Sequence, residues 1–292
     1  IIAGGKKSFW IIGNYDLWVI KTDSKGNIEW DRSYGWSGED IGFSVQQTKD
    51  DGYIIAGYTS FPDGKKVWII KIDSLGNKEW NLATGKINSE AACVQLTKDG
   101  GYIITGYTPS SGTSKEDVWL IKTDSKGRWD WLKTFGGPGK DLGLSVQETK
   151  DSGYIITGLT ESFGAGKGDV WLIKTDSKGD KEWDKTFGGA GFDSGSSVQQ
   201  TSDDGYIITG YSTTCVEGEK GFSQLFSSSD RGRVWLIKTD SKGNELWNET
   251  FGGTRSDWGN CVQETQDGGY IITGVTESYG AGKEDVWLIK VK

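Results

Sequence analysis

The stretch Asp99-Gly100-Gly101-Tyr102-Ile103-Ile104-Thr105-Gly106 decides the fold, because the chain repeats it. Aligned on Tyr-Ile-Ile-Thr/Ala-Gly, the first Ile falls at Ile1, Ile54, Ile103, Ile155, Ile207 and Ile271, at spacings of 53, 49, 52, 52 and 64 residues. A period near 50 is the mark of stacked supersecondary units, each unable to bury its apolar face alone. Working outward, each period holds four short extended segments. Ser/Cys-Val-Gln comes first, at Ser44, Cys93, Ser145, Ser197 and Cys261. The Ile-Ile motif is second. Third is Val-Trp-Leu-Ile-Lys, with its indole at Trp18, Trp68, Trp119, Trp171, Trp235 and Trp287, and the fourth ends on Trp30, Trp80, Trp131, Trp183 and Trp247. Their β-branched and aromatic content, short length and Gly/Asp punctuation predict strands.

The links predict how the strands join. Asp-Gly pairs such as Asp51-Gly52 and Asp204-Gly205 offer the positive φ of a tight hairpin between first and second strands. Asp-Ser-Lys-Gly-Asn, at Asp23 to Asn27 and Asp240 to Asn244, joins the third to the fourth: Asp bonds its own backbone and Gly turns left-handed. Four strands then form an antiparallel meander. In the third strand Leu17 and Val19 face one way and Trp18 and Ile20 the other, so the sheet is apolar on both faces and needs a sheet on each side. A succession of such sheets is an all-β six-bladed β-propeller, with seven blades as the alternative. The blades read as 1–30, 44–80, 93–131, 145–183, 197–247 and 261–292 of a single domain. The first lacks its first strand and the sixth its last, so a short segment upstream of Ile1 is expected to supply both and close the ring.

Composition narrows the chemistry. The chain has 292 residues with 45 Gly and 15 Trp, and no His, which removes Ser-His-Asp and Cys-His nucleophiles and histidine metal sites. A net charge of -8, spread without basic runs, predicts no nucleic-acid partner, and no apolar run reaches the length of a membrane span. No cofactor or metal site is assigned.

The run Gly-Gly-Tyr-Ile-Ile-Thr-Gly, then Asp-Val-Trp-Leu-Ile-Lys-Thr-Asp-Ser-Lys-Gly-Asn, then Trp, resembles kelch and quinoprotein-like propellers, and most of all tandem-repeat propellers of archaeal and bacterial secreted or cell-surface proteins. The resemblance covers the whole chain and implies an extracellular or cell-surface scaffold. It implies no quinone chemistry, because Cys93, Cys215 and Cys261 are not adjacent.

Sites are expected on the face carrying second-to-third loops and blade crossovers, where the repeat varies. Trp10, Tyr15, Trp36 and Trp258 depart from the repeat there and suit a sugar ring or a protein anchor. Asp40, Asp141, Asp193 and Asp257 recur four residues before the first strand's Ser/Cys. The ordinary expectation is that each caps a sharp crossover, with contact to sugar hydroxyls or calcium left open; Asp40 and Asp257 join the candidate ligand set. Gln46, Gln95, Gln147, Gln199 and Gln263 recur in every copy and predict a hydrogen bond between blades. The one long insertion, Ser212 to Arg233, carries Phe222, Leu225 and Phe226 as a candidate partner contact. These features favour a non-catalytic propeller that binds an unidentified protein or glycan. The alternative is a carboxylate-based glycosidase or lyase using two of the four recurring aspartates.

Overall fold

A computed structural model describes residues 1–7, 15–36, 38–110, 115–213 and 232–292, which form β-strands and turns. Packing divides the chain into two compact units, Ile1–Phe135 and Gly136–Lys292.

The first unit holds three antiparallel sheets in chain order. They are β1 (Ile2–Lys7), β2 (Tyr15–Thr22) and β3 (Ile28–Tyr34); β4 (Asp40–Gln47), β5 (Tyr53–Phe61), β6 (Gly64–Ile72) and β7 (Lys78–Thr84); and β8 (Glu90–Leu96), β9 (Tyr102–Pro109), β10 (Glu116–Thr123) and β11 (Trp129–Phe135). The second holds β12 (Asp141–Glu148), β13 (Tyr154–Thr160), β14 (Asp169–Thr175) and β15 (Lys181–Phe187); β16 (Asp193–Gln200), β17 (Tyr206–Ser212), β18 (Arg233–Thr239) and β19 (Glu245–Phe251); and β20 (Asp257–Glu264), β21 (Tyr270–Thr276) and β22 (Asp285–Val291). Every sheet is a meander of neighbouring strands, and the fold class is the all-β propeller that the repeat predicts.

Within each unit the sheets stack face to face. Ile155, Val170 and Leu172 meet Val198, Tyr206, Ile208 and Ile237 across one junction, and Ile54, Val67 and Ile69 meet Val94, Ile104 and Ile121 across another. Burying each such side chain contributes roughly 1.5–3 kcal/mol, which is why the third strands β6, β10, β14 and β18 are buried on both faces. The fourth-strand tryptophans lie edge-on to a tyrosine of the next sheet, Trp30 on Tyr53, Trp80 on Tyr102, Trp183 on Tyr206 and Trp247 on Tyr270, at 5.9–6.2 Å between ring centres. The recurring glutamines also tie sheet to sheet: Gln147 Oε1 accepts the Gln200 N–H at 2.6 Å, Gln199 Oε1 that of Glu264 at 2.7 Å, and Gln46 Oε1 that of Leu96.

Three details differ from expectation. The first strands begin at the recurring aspartate, four residues early, and absorb the extra residue as a bulge, as at Gly143/Ser145. The fourth strands run four residues past their tryptophan in four of the six sheets, as in β3 and β15. In the first hairpin, positive φ falls on Asp51, Gly100, Ser152, Asp204 and Gly268 rather than on the glycine that follows. That glycine is required by contact instead: a Cβ on Gly153 would lie 2.2 Å from the Thr175 carbonyl oxygen.

The same hairpins carry a buried lysine. Lys174 Nζ donates to Asp151 and Glu182 at 2.9 Å each and to the Thr175 carbonyl, so one ammonium pins the first hairpin to the third and fourth strands; Lys71 repeats the arrangement with Asp50 and Glu79. The Asp50, Asp151 and Asp203 carboxyls are held down at about 2: the Thr48 and Thr201 hydroxyls lead for Asp50 and Asp203, and for Asp151 the Thr149 hydroxyl and Lys174 outweigh burial.

Candidate functional site

The second unit has a recess of about 450 Å³ at the end of its sheets where second-to-third loops and crossovers emerge. Small residues hollow it out. At the second and fourth positions of the first strand, blade four places Leu142 and Leu144, whereas β16 places Ser194 and Ser196. The next strand, β20, carries Trp258 at the position of Ser194, and its indole stacks on Tyr211 of β17 with ring centres 5.8 Å apart and planes 13° from parallel. Phe192 meets the other side of Tyr211 at 6.4 Å, edge-on. Lys167 and Thr213 complete the lining.

The backbone holds this arrangement rigidly. Gly168 and Phe192 form a parallel bridge, the Lys167 N–H donates to the Gly191 carbonyl at 3.0 Å, and the Phe192 N–H donates to Thr213 Oγ1 at 2.6 Å. Gly232 sits against the Tyr211 ring so closely that a Cβ would lie 1.8 Å from it. The result is an apolar aromatic wall facing hydroxyls and one ammonium, the combination that suits a sugar ring: its C–H face packs on an aromatic and its hydroxyls take hydrogen bonds.

Of the residues singled out in the sequence, Trp258 belongs to this recess; Tyr211, Ser194 and Ser196 were missed. Their signal was a departure from the repeat toward small residues, which is harder to notice than an extra aromatic. Trp36, in the first unit, is 47% exposed and leans on Phe61 and Trp68 at 5.9 and 5.3 Å. Tyr15 opens β2 and is 40% exposed. Trp10, Phe222, Leu225 and Phe226 lie outside the described residues.

The recurring aspartates have a different place. Asp40, Asp141, Asp193 and Asp257 are all 0% exposed. Each accepts the N–H four residues earlier, from Trp36, Gly137, Gly189 and Gly253 at 2.8, 2.9, 3.1 and 3.0 Å. Asp141 and Asp257 also accept hydroxyl protons from Thr160 and Ser162 and from Thr276 and Ser278. They cap the crossovers. A sugar cannot reach them, so Asp40 and Asp257 make no ligand contact in this geometry, and two of these four do not form a glycosidase pair.

The third-strand aspartates, expected to be solvated, also differ. Asp169 is 2% exposed, and burial, with the neighbouring Asp193 adding to it, pushes its carboxyl up to about 6 against the Ala165 N–H. Asp40 is likewise shifted upward, by burial first and by Asp16 and Glu39 beside it.

No protein-family model matches the chain, and no curated protein matches it. Solved structures do. Sqt1 from Chaetomium thermophilum is similar over 90% of this chain at a TM-score of 0.50 and 11% identity, and the match takes in 61% of the Sqt1 chain. An endo-arabinase from Bacteroides thetaiotaomicron is similar over 86% of this chain and 94% of its own, at a TM-score of 0.47 and 12% identity. A xylan β-1,4-xylosidase from Bacillus halodurans is similar over 85% and 52%, at a TM-score of 0.39 and 12% identity. At these identities the likeness is one of fold. The expectation of a non-catalytic scaffold is corrected here: glycoside-cleaving enzymes among the similar structures remove the premise that such a sheet repeat speaks against catalysis.

Proposed function

We propose that this protein is an enzyme acting on carbohydrate, of the glycoside-hydrolase type, and that it seats a sugar ring in the recess beside Tyr211 and Trp258. The recess supports the reading: parallel-stacked rings at 5.8 Å stand opposite Ser194, Ser196, Thr213 and Lys167. Glycoside hydrolysis also suits a chain without histidine, since its acid, base and nucleophile are carboxyl groups. Carbohydrate is the substrate class named in the arabinase and xylosidase titles, which speak for those proteins. An extracellular or cell-surface location belongs to the same proposal.

The test is release of reducing sugar from a panel of aryl glycosides and plant and bacterial polysaccharides. Turnover of at least one is expected, with KM raised about tenfold in Trp258→Ala, the loss of one aromatic contact worth ~1.4 kcal/mol. A panel with no turnover and no binding overturns the proposal.

A further inference from the structure

One junction in the second unit brings two buried carboxylates together. Asp169 opens β14 and Asp193 opens β16, and their side chains converge on Gly188: a Cβ there would lie 2.2 Å from Asp169 Oδ1 and 2.7 Å from Asp193 Oδ2. Both residues are buried, at 2% and 0% exposure. Asp169 Oδ2 is buried without a hydrogen-bond partner. Asp193 is the one charge that acts on Asp169, and it has the same sign. Two adjacent carboxylates withdrawn from water repel each other and lose their hydration, so such a pair calls for a compensating positive charge.

The repeat supplies its own comparison, because the same two positions recur along the chain. In the first unit Asp16 and Asp40 converge on Gly35 in the same way, at 2.8 and 2.6 Å from the point where its Cβ would stand, and Asp40 Oδ1 is again buried without a partner. In the junction after β18 the first position is Arg233 and the second Asp257. There the Gly252 Cβ point lies 2.5 Å from Asp257 Oδ2, and Arg233 Nη2 donates to the Gly252 carbonyl at 3.1 Å. A guanidinium thus occupies the position of Asp169. In the junction after β6 the positions are Lys66 and Ser89, and both acids are gone together. One acid is accompanied by a cationic side chain, and two acids have none.

We propose that the Asp169–Asp193 junction is a calcium site, in which a bound cation does what Arg233 does one blade further on. Two carboxylates without histidine or cysteine beside them form a hard-oxygen donor set, and calcium accepts irregular shells completed by carbonyl and water oxygens. The upward shift of Asp169 is the same frustration seen as a proton affinity: the junction takes up positive charge in whichever form is offered.

Bound metal per chain and thermal unfolding test this together. After exchange into about 1 mM CaCl₂ at about pH 7.5, the protein should carry calcium and unfold about 5 °C higher than in EGTA, the shift expected at free calcium near a hundred times Kd. Asp169→Asn should lower bound calcium by one equivalent. Asp169→Arg, which copies the Arg233 junction, should lose the same equivalent yet unfold in EGTA no lower than the unaltered protein, and it keeps the test decisive should Asp169→Asn not fold. Three results overturn the proposal. One is equal unfolding temperatures in CaCl₂ and EGTA with no bound calcium. Another is unchanged stoichiometry in both variants. The last is unfolding in EGTA that rises toward about pH 5.5 with no effect of calcium at either pH, which assigns the junction a shared proton instead.

Discussion

At the scale of single residues, the recess depends on what is left out as much as on what is present. Ser194 and Ser196 stand where Leu142 and Leu144 stand one sheet earlier, and the missing volume is the recess. Ser194→Leu should therefore fill the site with a side chain the repeat already accommodates. The expected outcome is lost glycan binding with an unfolding midpoint within ~1 kcal/mol of the original, checked by calorimetric titration and urea denaturation. Gly232→Ala acts from behind the wall: its Cβ would sit 1.8 Å from the Tyr211 ring and push the ring out of parallel with Trp258. Weaker glycan binding, about tenfold, should accompany a change in near-ultraviolet circular dichroism from the disturbed Tyr–Trp stack. If Gly232→Ala leaves the affinity unaltered, the stacked pair does not contact the sugar.

At the scale of strands and turns, the repeat puts polar side chains in the seams between sheets. Gln147 is the example: its amide oxygen satisfies the Gln200 N–H on the neighbouring sheet, a donor with no alternative in the seam. Gln147→Ala should cost about 1–3 kcal/mol, read as a lower urea midpoint at unchanged slope, because the Gln200 N–H loses its acceptor. The turns were readable to different depths. Asp23 accepts the N–H groups of Lys25 and Asn27 and Gly26 has φ 84°, as the Asp-Ser-Lys-Gly-Asn pattern requires. The first hairpin was half readable. Its glycine is needed because a carbonyl from another strand comes within 2.4 Å of its would-be Cβ at Gly52, and no local pattern announces a neighbour that distant in sequence.

At the scale of the whole molecule, one hairpin acid repeated along the chain makes stability depend on pH. Asp50, Asp99, Asp151 and Asp203 are held at about 2, below the unfolded value near 3.9. A depressed carboxyl contributes stability above its unfolded pKa, and that contribution is lost as pH falls through the folded value. The unfolding temperature should therefore drop between about pH 4 and pH 2, with the steepest loss shared by both units, and Asp151→Asn should flatten part of the drop. A curve flat across that window would remove these ion pairs from the stability of the fold.

The amino-acid sequence by itself determined the strands, their order within each sheet and the face-to-face stacking, because a 50-residue period with two apolar faces has few other ways to leave water. It determined the inter-sheet glutamines for the same reason: a polar group kept in every copy at a buried position needs a partner every copy supplies. Only the tertiary structure decided which departures from the repeat share a site. Trp258, Tyr211 and Ser194 come from three strands, and their meeting depends on a register that brings Ser194 beside Tyr211 and on the stacking of one sheet on the next. It also decided the fate of the acids. A carboxylate reads the same in sequence whether it faces water or another carboxylate, and burial, a property of neighbours rather than of the residue, turned Asp141 and Asp257 into crossover caps and Asp169 and Asp193 into a pair in want of positive charge.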